Sequence, residues 1–293
     1  MSKDRINILQ RTDSAFPVLL GEISDAPRQI YLLGELPDSG IPRVSIVGTR
    51  KATQSGQSLA KLVAQKLSEA GAVVVSGLAM GIDTAAHEGA IAAHAKTIAV
   101  LANGLDSIYP RQNENLAYRI LESSGAIISE YPPGTPPFPS QFLERNRIIS
   151  GLSLATVIIE APHESGALVT ARLAAEQGRE VLVFPGSPTH PNYRGSHDLI
   201  RDGARLVSSV EDILEDLGLY AKSSSNLSSR DKLKEIQNEE QRFIFKIIEG
   251  AGHPVRIYKI IELTKLEPRV VSREITFLTI NNFIRETERG YTS

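Results

Sequence analysis

The chain has 293 residues, 41% hydrophobic and 23% charged, with a formal net charge of −2 and no cysteine. This length accommodates one sizeable core plus a small second domain, and the lack of cysteine excludes disulfides and thiolate metal sites. Residues 1–221 carry 19 Lys/Arg against 24 Asp/Glu and residues 222–293 carry 13 against 10. That balance excludes a basic surface spread over the whole molecule, so any phosphate-binding surface must be local.

Taken in chain order, the first ten residues are polar and lack the apolar stretch of a signal peptide. No apolar run approaches the roughly 20 residues that span a bilayer. A cytoplasmic protein with no membrane contact is the expectation. Residues 1–40 read as a short lead-in segment, closed by the turn-rich run Pro37-Asp38-Ser39-Gly40-Ile41-Pro42. Seven apolar runs follow, at 44–47, 72–76, 96–101, 126–129, 155–160, 180–184 and 204–207. Helical spacing fills the intervals, as with Leu59, Leu62, Val63, Lys66 and Leu67. Strands that are apolar throughout and alternate with helices imply a parallel sheet covered on both faces. The expected fold is α/β: an extended Rossmann-like, doubly wound, mostly parallel sheet over residues 41–220.

Residues 221–237 contain Ser223-Ser224-Ser225-Asn226-Leu227-Ser228-Ser229 and read as a linker. Over 238–293, helical patterns at 239–249, 253–263 and 269–280 precede a hairpin pattern at 281–291. This suggests a small winged-helix domain, with a plain three-helix bundle as the alternative. On the helix at 239–249, Phe243, Ile244, Ile247 and Ile248 form one apolar side.

In a parallel sheet, ligands gather at the carboxyl ends of the strands, and there the unusual residues recur. Gly48-Thr49-Arg50-Lys51 follows the first run, and Thr53, Ser55 and Gly56 lead into a helix whose N-terminus favours an anion. A phosphate site and a structural turn are both open readings. The second run ends in Ser76-Gly77-Leu78-Ala79-Met80-Gly81-Ile82-Asp83, where Gly77 and Gly81 bring amides forward and Asp83 is placed to cap the next helix. His87 lies on the same helical face as Asp83, and a structural hydrogen bond is the favoured reading over acid–base work. No second ligand group with metal spacing accompanies it, so no metal is expected.

Farther on come Gly104-Leu105-Asp106, Tyr109-Pro110-Arg111 and Asn113, then Phe138, Phe142 and Arg145-Asn146-Arg147. Rings interleaved with arginines suit a single strand, whose bases stack while its phosphates meet guanidinium groups. For Phe142 core packing, and for Arg147 a structural salt bridge, are the alternatives. Arg111 and Arg145 are expected at the surface. Ser165-Gly166 after the fifth run and Gly186 after the sixth complete the candidate anion loops with Gly48, Thr49, Ser76, Gly77 and Gly81.

These blocks, in unbroken order over residues 14–217, resemble the DprA/Smf family. The resemblance is carried by Ile46-Val47-Gly48-Thr49-Arg50, by 76–87, by Gly104-Leu105-Asp106 with Tyr109-Pro110 and Asn113, by 145–151 and by 165–172. It implies a protein that binds and protects single-stranded DNA and loads a RecA-type recombinase, as in natural transformation or recombination. It also implies a homodimer, no cofactor and no catalysis. Arg50 and Arg111 would be the leading phosphate contacts, with Arg145 and Arg147 next; beside them Lys51, Phe138 and Asn146 are further candidate DNA contacts. Thr49 stands where family members often have serine.

An alternative is a nucleotide-binding or nucleoside-monophosphate-cleaving enzyme of a related Rossmann-like fold. Such enzymes carry a Gly-Gly-x-Gly-Thr-x-x-Glu loop, whereas Leu173 stands third after Thr170 here and Glu176 falls a turn late. A dinucleotide fingerprint is also absent, with only Gly48 and Gly56 after the first run. A regulator working through Arg269 and Arg273 of the tail is opposed by Glu267 and Glu274 beside them.

Overall fold

Runs that are apolar throughout must be covered on both faces, and they form the middle of one nine-stranded sheet in the computed structural model. The structure describes residues 6–219, 236, 238–251, 254–281, 283–287 and 290–292. Two compact units divide the chain, Met1–Tyr220 and Ala221–Ser293.

In the first unit the elements run β1 (Asn7–Gln10), α1 (Val18–Glu22), β2 (Gln29–Gly34), β3 (Arg43–Val47), α2 (Gln54–Glu69), β4 (Val73–Ser76), α3 (Ile82–Ala92) and β5 (Thr97–Leu101). A short 3-10 turn, Arg111–Asn113, leads to α4 (Glu114–Glu122), β6 (Ala126–Ser129), α5 (Pro139–Gly151), β7 (Ala155–Ile158), α6 (Gly166–Glu176) and β8 (Glu180–Val183). A second, Pro191–Tyr193, precedes α7 (Arg194–Arg201), β9 (Arg205–Leu206) and α8 (Val210–Asp216). The sheet order is β1-β2-β6-β5-β4-β3-β7-β8-β9. The seven strands from β3 onward are mutually parallel where they pair. This is the Rossmann-like α/β sheet that the pattern implies.

The segment read as a lead-in adds two strands that the sequence reading had not placed. β2 pairs antiparallel with β6, and β1 pairs antiparallel with β2 at the edge. Side chains alternate across the sheet. Val44 and Ile46 of β3 join the cluster with Val63 and Leu67 of α2, while Val47 joins the cluster with Leu20 of α1 and Ile148 of α5. The order reverses beside β3, whose neighbours are β4 on one side and β7 on the other. That reversal opens a crevice outside the carboxyl ends of β3 and β7.

The second unit holds α9 (Glu239–Ala251), α10 (Ile257–Thr264), α11 (Pro268–Ile280) and a hairpin of β10 (Arg285–Thr287) with β11 (Gly290–Thr292). Ile244, Phe245, Ile248, Val271, Ile275 and Leu278 are buried together. On α9 it is Phe245 that fills this core, while Phe243 of the expected apolar side is 46% exposed. The linker expected at 221–237 lies outside the described residues except for Ile236. No helix among the described residues is long and apolar enough to cross a membrane.

Candidate nucleic-acid interface

A cleft of about 840 Å³ opens at the crevice between β3 and β7. One wall is the turn after β3, with Gly48, Thr49, Arg50 and Lys51. It is tied down by the Thr49 amide, which donates to the Glu160 carbonyl at 2.8 Å. A Cβ at Gly48 would stand 2.6 Å from Ile82 Cγ1 and 2.9 Å from the Glu160 carbonyl, so only glycine lets β3 pass α3 this closely. The facing wall is apolar, formed by Tyr109, Pro137, Pro139, Phe142 and Leu143. Its rings pack together, Tyr109 and Phe142 with centroids 5.5 Å apart at 58°. The loop 162–166 and the start of α6 close the third side.

Arg50 bridges the first two walls. Its guanidinium lies 5.2 Å from the Phe142 ring centroid, within cation–π range. Arg50, Lys51 and Arg111 are exposed, and none of them forms an ion pair among the described residues. Arg111 lies outside the cleft lining, two residues past Tyr109. Asn146 lines the cleft and donates from Nδ2 to the Gly166 carbonyl at 3.3 Å. At the start of α6, Ser165 Oγ is buried without a hydrogen-bond partner among the described residues, and a Cβ at Gly166 would meet open space.

Two expected contacts, Arg145 and Arg147, turn to protein partners, and a third, Phe138, lies outside the cleft. Arg145 is not at the surface; it is 4% exposed on the cleft floor. Its Nη1 donates to the Gly77 carbonyl at 2.8 Å and to the Val100 carbonyl. Burial draws this guanidinium down to about 10, with Asp83 opposing the shift and Arg50 adding to it. Arg147 does not reach the cleft either. It is held by Glu130 at 2.7 Å and Asp25 at 3.1 Å, which is the salt-bridge alternative. Phe138 is 54% exposed at the N-cap of α5 and is not part of the lining.

Four candidate anion-loop residues have internal duties. Ser76 is fully buried and donates to the Ile46 carbonyl at 2.7 Å. The Gly77 amide is taken by Asp83 Oδ2 at 3.0 Å, and a Cβ there would meet the Arg145 guanidinium at 2.8 Å. Gly81, at φ +83°, presses on the carbonyls of Thr49 and Arg50. Gly186 lies under the Tyr193 ring, and its carbonyl accepts from His197 Nε2 at 3.1 Å.

Asp83 does not cap its own helix; it accepts from the Gly77 and Ala79 amides and shapes the turn before it. Burial raises its carboxyl, against the pull of Arg145 and those two amides. His87 bonds to Thr97 Oγ1 at 2.8 Å, not to Asp83. The Thr97 hydroxyl donates to the Val74 carbonyl, so His87 Nδ1 carries the proton and Nε2 is bare, with no partner among the described residues. Burial, helped by Arg145, lowers His87 to about 3.

Sequence reasoning missed Glu160, which is fully buried where β7 ends. Its carboxylate gathers Thr53, Asn192 and Tyr193. The available signal was an acid closing a run that is otherwise apolar, since such a charge must find partners once buried.

The family model described as DNA recombination-mediator protein A matches residues 7–218. Protein Smf of Escherichia coli is 44% identical over 206 residues, covering 70% of this chain and 55% of that protein. DNA processing protein DprA of Streptococcus pneumoniae is 43% identical over 202 residues, 69% of this chain and 71% of that one. The chain thus spans about half the length of some curated relatives that it matches. The X-ray structure of the Streptococcus pneumoniae protein superposes with a TM-score of 0.68 at 40% identity, over 72% of this chain and 74% of that one. A Helicobacter pylori DprA structure, described by its single-stranded DNA binding mode, gives 0.66 at 30% identity, over 73% of this chain and 95% of that one. With the family match running from β1 through α8, the chain belongs to the DNA recombination-mediator protein A family.

Proposed function

We propose that the cleft after β3 and β7 binds single-stranded DNA and that the chain passes the strand to a RecA-type recombinase, as a homodimeric scaffold rather than an enzyme. The observation that carries this reading is Arg50, an exposed cation with no ion-pair partner among the described residues, held over the Phe142 ring at the cleft mouth. The cationic turn offers donors to phosphates, and the Tyr109–Phe142 wall offers faces to unpaired bases. A duplex keeps its base faces stacked, so the second wall favours single strands. Lys51 and Arg111 extend the phosphate contacts, and Asn146 and Ser165 with Gly166 provide polar groups on the inner side. The Helicobacter pylori relative's described single-strand binding supports the ligand, and the family's description as a recombination mediator supports the partner. The C-terminal unit, three helices and a hairpin, we read as a winged helix.

Binding of labelled oligo-dT against its duplex, across a salt series, tests this for wild type and for Arg50→Ala with Arg111→Ala. The expected result is a salt-sensitive preference for single strands that the double variant loses. Equal affinity for duplex and single strand, or an unaffected double variant, would sink the proposal. A strand-exchange assay with RecA on oligonucleotides precoated with the chain tests the delivery step, where no acceleration counts against it.

A further inference from the structure

The N-terminus of a helix presents unpaired amides and partial positive charge, and in nucleotide-binding α/β domains the first strand-to-helix turn leads a phosphate to it. In this chain α2 holds that position, and its terminus is already filled. The buried Glu160 carboxylate accepts from the Thr53 amide at 3.0 Å and the Thr53 hydroxyl at 2.5 Å. Thr53 Oγ1 in turn accepts the Gly56 amide at 2.9 Å. Asn192 Nδ2 at 2.9 Å and the Tyr193 hydroxyl at 3.1 Å complete a set made only of donors, which matches a group that can only accept. A Cβ at Gly56 would stand 2.5 Å from the Glu160 carboxyl carbon, so the first turn of α2 is shaped around this side chain. The cleft lining includes Arg50 and Lys51 but neither Thr53 nor Glu160.

Glu160 also fixes both ends of the segment that carries the free cations. Its backbone carbonyl holds the Thr49 amide, and its carboxylate holds the Thr53 amide. Asn192, itself bonded to that carboxylate, donates to the Lys51 carbonyl at 3.2 Å. We propose that Glu160 is an internal anion filling the phosphate position at the α2 N-terminus, and that by doing so it positions the Arg50–Lys51 loop toward the cleft. Strand phosphates are thereby directed to the outer rim, and a free nucleotide finds the helix terminus closed. The loop's role rests on the single-strand reading above; the filling of the helix terminus does not. Burial works to raise the Glu160 carboxyl, yet the bonds from Thr53, Asn192 and Tyr193 outweigh it and hold the group below the usual carboxylate range, so the plug stays charged.

The test is acetate rescue of the full chain carrying Glu160→Ala. Oligo-dT binding and thermal melting are followed with acetate, and with chloride at equal ionic strength. Binding by the variant is expected to weaken about tenfold. Acetate, but not chloride, should restore it and raise the variant's melting temperature while leaving the wild type unchanged. A variant that binds like wild type, or acetate that acts no differently from chloride, overturns the inference. If the wild type itself fails to bind oligo-dT, the single-strand reading falls, and melting with acetate alone decides the role of Glu160. Should the alanine variant not fold, Glu160→Gln keeps the shape but turns an amide NH2 toward two of the four donors; oligo-dT binding equal to wild type would then overturn the inference.

Discussion

At the scale of single residues, the site divides its arginines into those free to meet a ligand and those spent on the protein. Arg50 lies over a ring and pairs with no carboxylate among the described residues, whereas Arg147 is clamped by Glu130 and Asp25. Arg50→Ala is therefore expected to weaken oligo-dT binding about tenfold to a hundredfold. The slope of log affinity against log salt should shrink by about 0.7, the share of one phosphate on a single strand. Its melting temperature should not move. Arg147→Ala should do the reverse, leaving the salt slope intact and costing about 1–3 kcal/mol of stability in urea titrations, because Glu130 is left half-buried without its donor. A second prediction concerns His87, which burial lowers from 6.5 to about 3. Between those values the unfolded chain binds a proton that the folded chain refuses. Stability should accordingly rise with pH by up to about 1.4 kcal/mol per unit from pH 3 toward 6.5, then level off. Urea midpoints for wild type and His87→Gln across that window check it, and the glutamine variant should show the flatter profile. Equal slopes would mean that His87 accepts its proton without unfolding.

At the scale of elements, one turn sets the next. The segment between β4 and α3 is held by Asp83 through the Gly77 and Ala79 amides, and by Asn113, whose Nδ2 donates to the Leu78 carbonyl at 2.8 Å. This brings Gly81 under the Thr49–Arg50 backbone, 2.7 Å from an added Cβ to the Arg50 carbonyl, at a φ that disfavours any side chain. Gly81→Ala should cost about 1–3 kcal/mol in urea titrations. It should also weaken oligo-dT binding, since relief comes only by moving the Arg50 turn; unchanged binding would show that the turn tolerates the shift. None of this propping was legible in the sequence, because it depends on two strand ends meeting. The strands themselves were legible where burial on both faces removes polar residues, as in β3 with Val44, Ile46 and Val47. The reading failed at the edges. β1 is a short, mostly exposed edge strand whose only apolar residues are Ile8 and Leu9, and β2 falls inside the segment read as a lead-in. The run at 204–207 shrinks to the two exposed residues of β9. The same limit governs the site. Clusters of glycine and arginine at strand ends could be read directly, but the fate of Arg145 could not, as its carbonyl partners lie 68 and 45 residues away.

At the scale of the whole molecule, each unit closes its own hydrophobic core, one around the sheet and one around α9 to α11. The family match stops at residue 218, at the end of the first unit. The second unit has the positive excess, which would suggest that it supplies phosphate contacts. Its described cations divide: Lys246, Arg256, Lys265 and Arg269 are exposed with no ion pair among the described residues, whereas two others are engaged. Arg273 is engaged by Glu274 and Glu240, and Lys259 by Glu262. The first unit sets its free cations, Arg50 and Lys51, in a cleft beside a wall of rings, the pairing that single-strand binding uses. A chain ending at residue 219 should therefore fold, bind oligo-dT within about threefold of full length, and keep its salt slope to within one phosphate, about 0.7. The full chain should melt in two transitions, with the smaller one missing from the truncated chain. A single shared transition would mean that the two cores unfold as one. A salt slope that drops by several units on truncation would transfer the main phosphate contacts to the second unit, and the cleft at Arg50 would then be left with the bases.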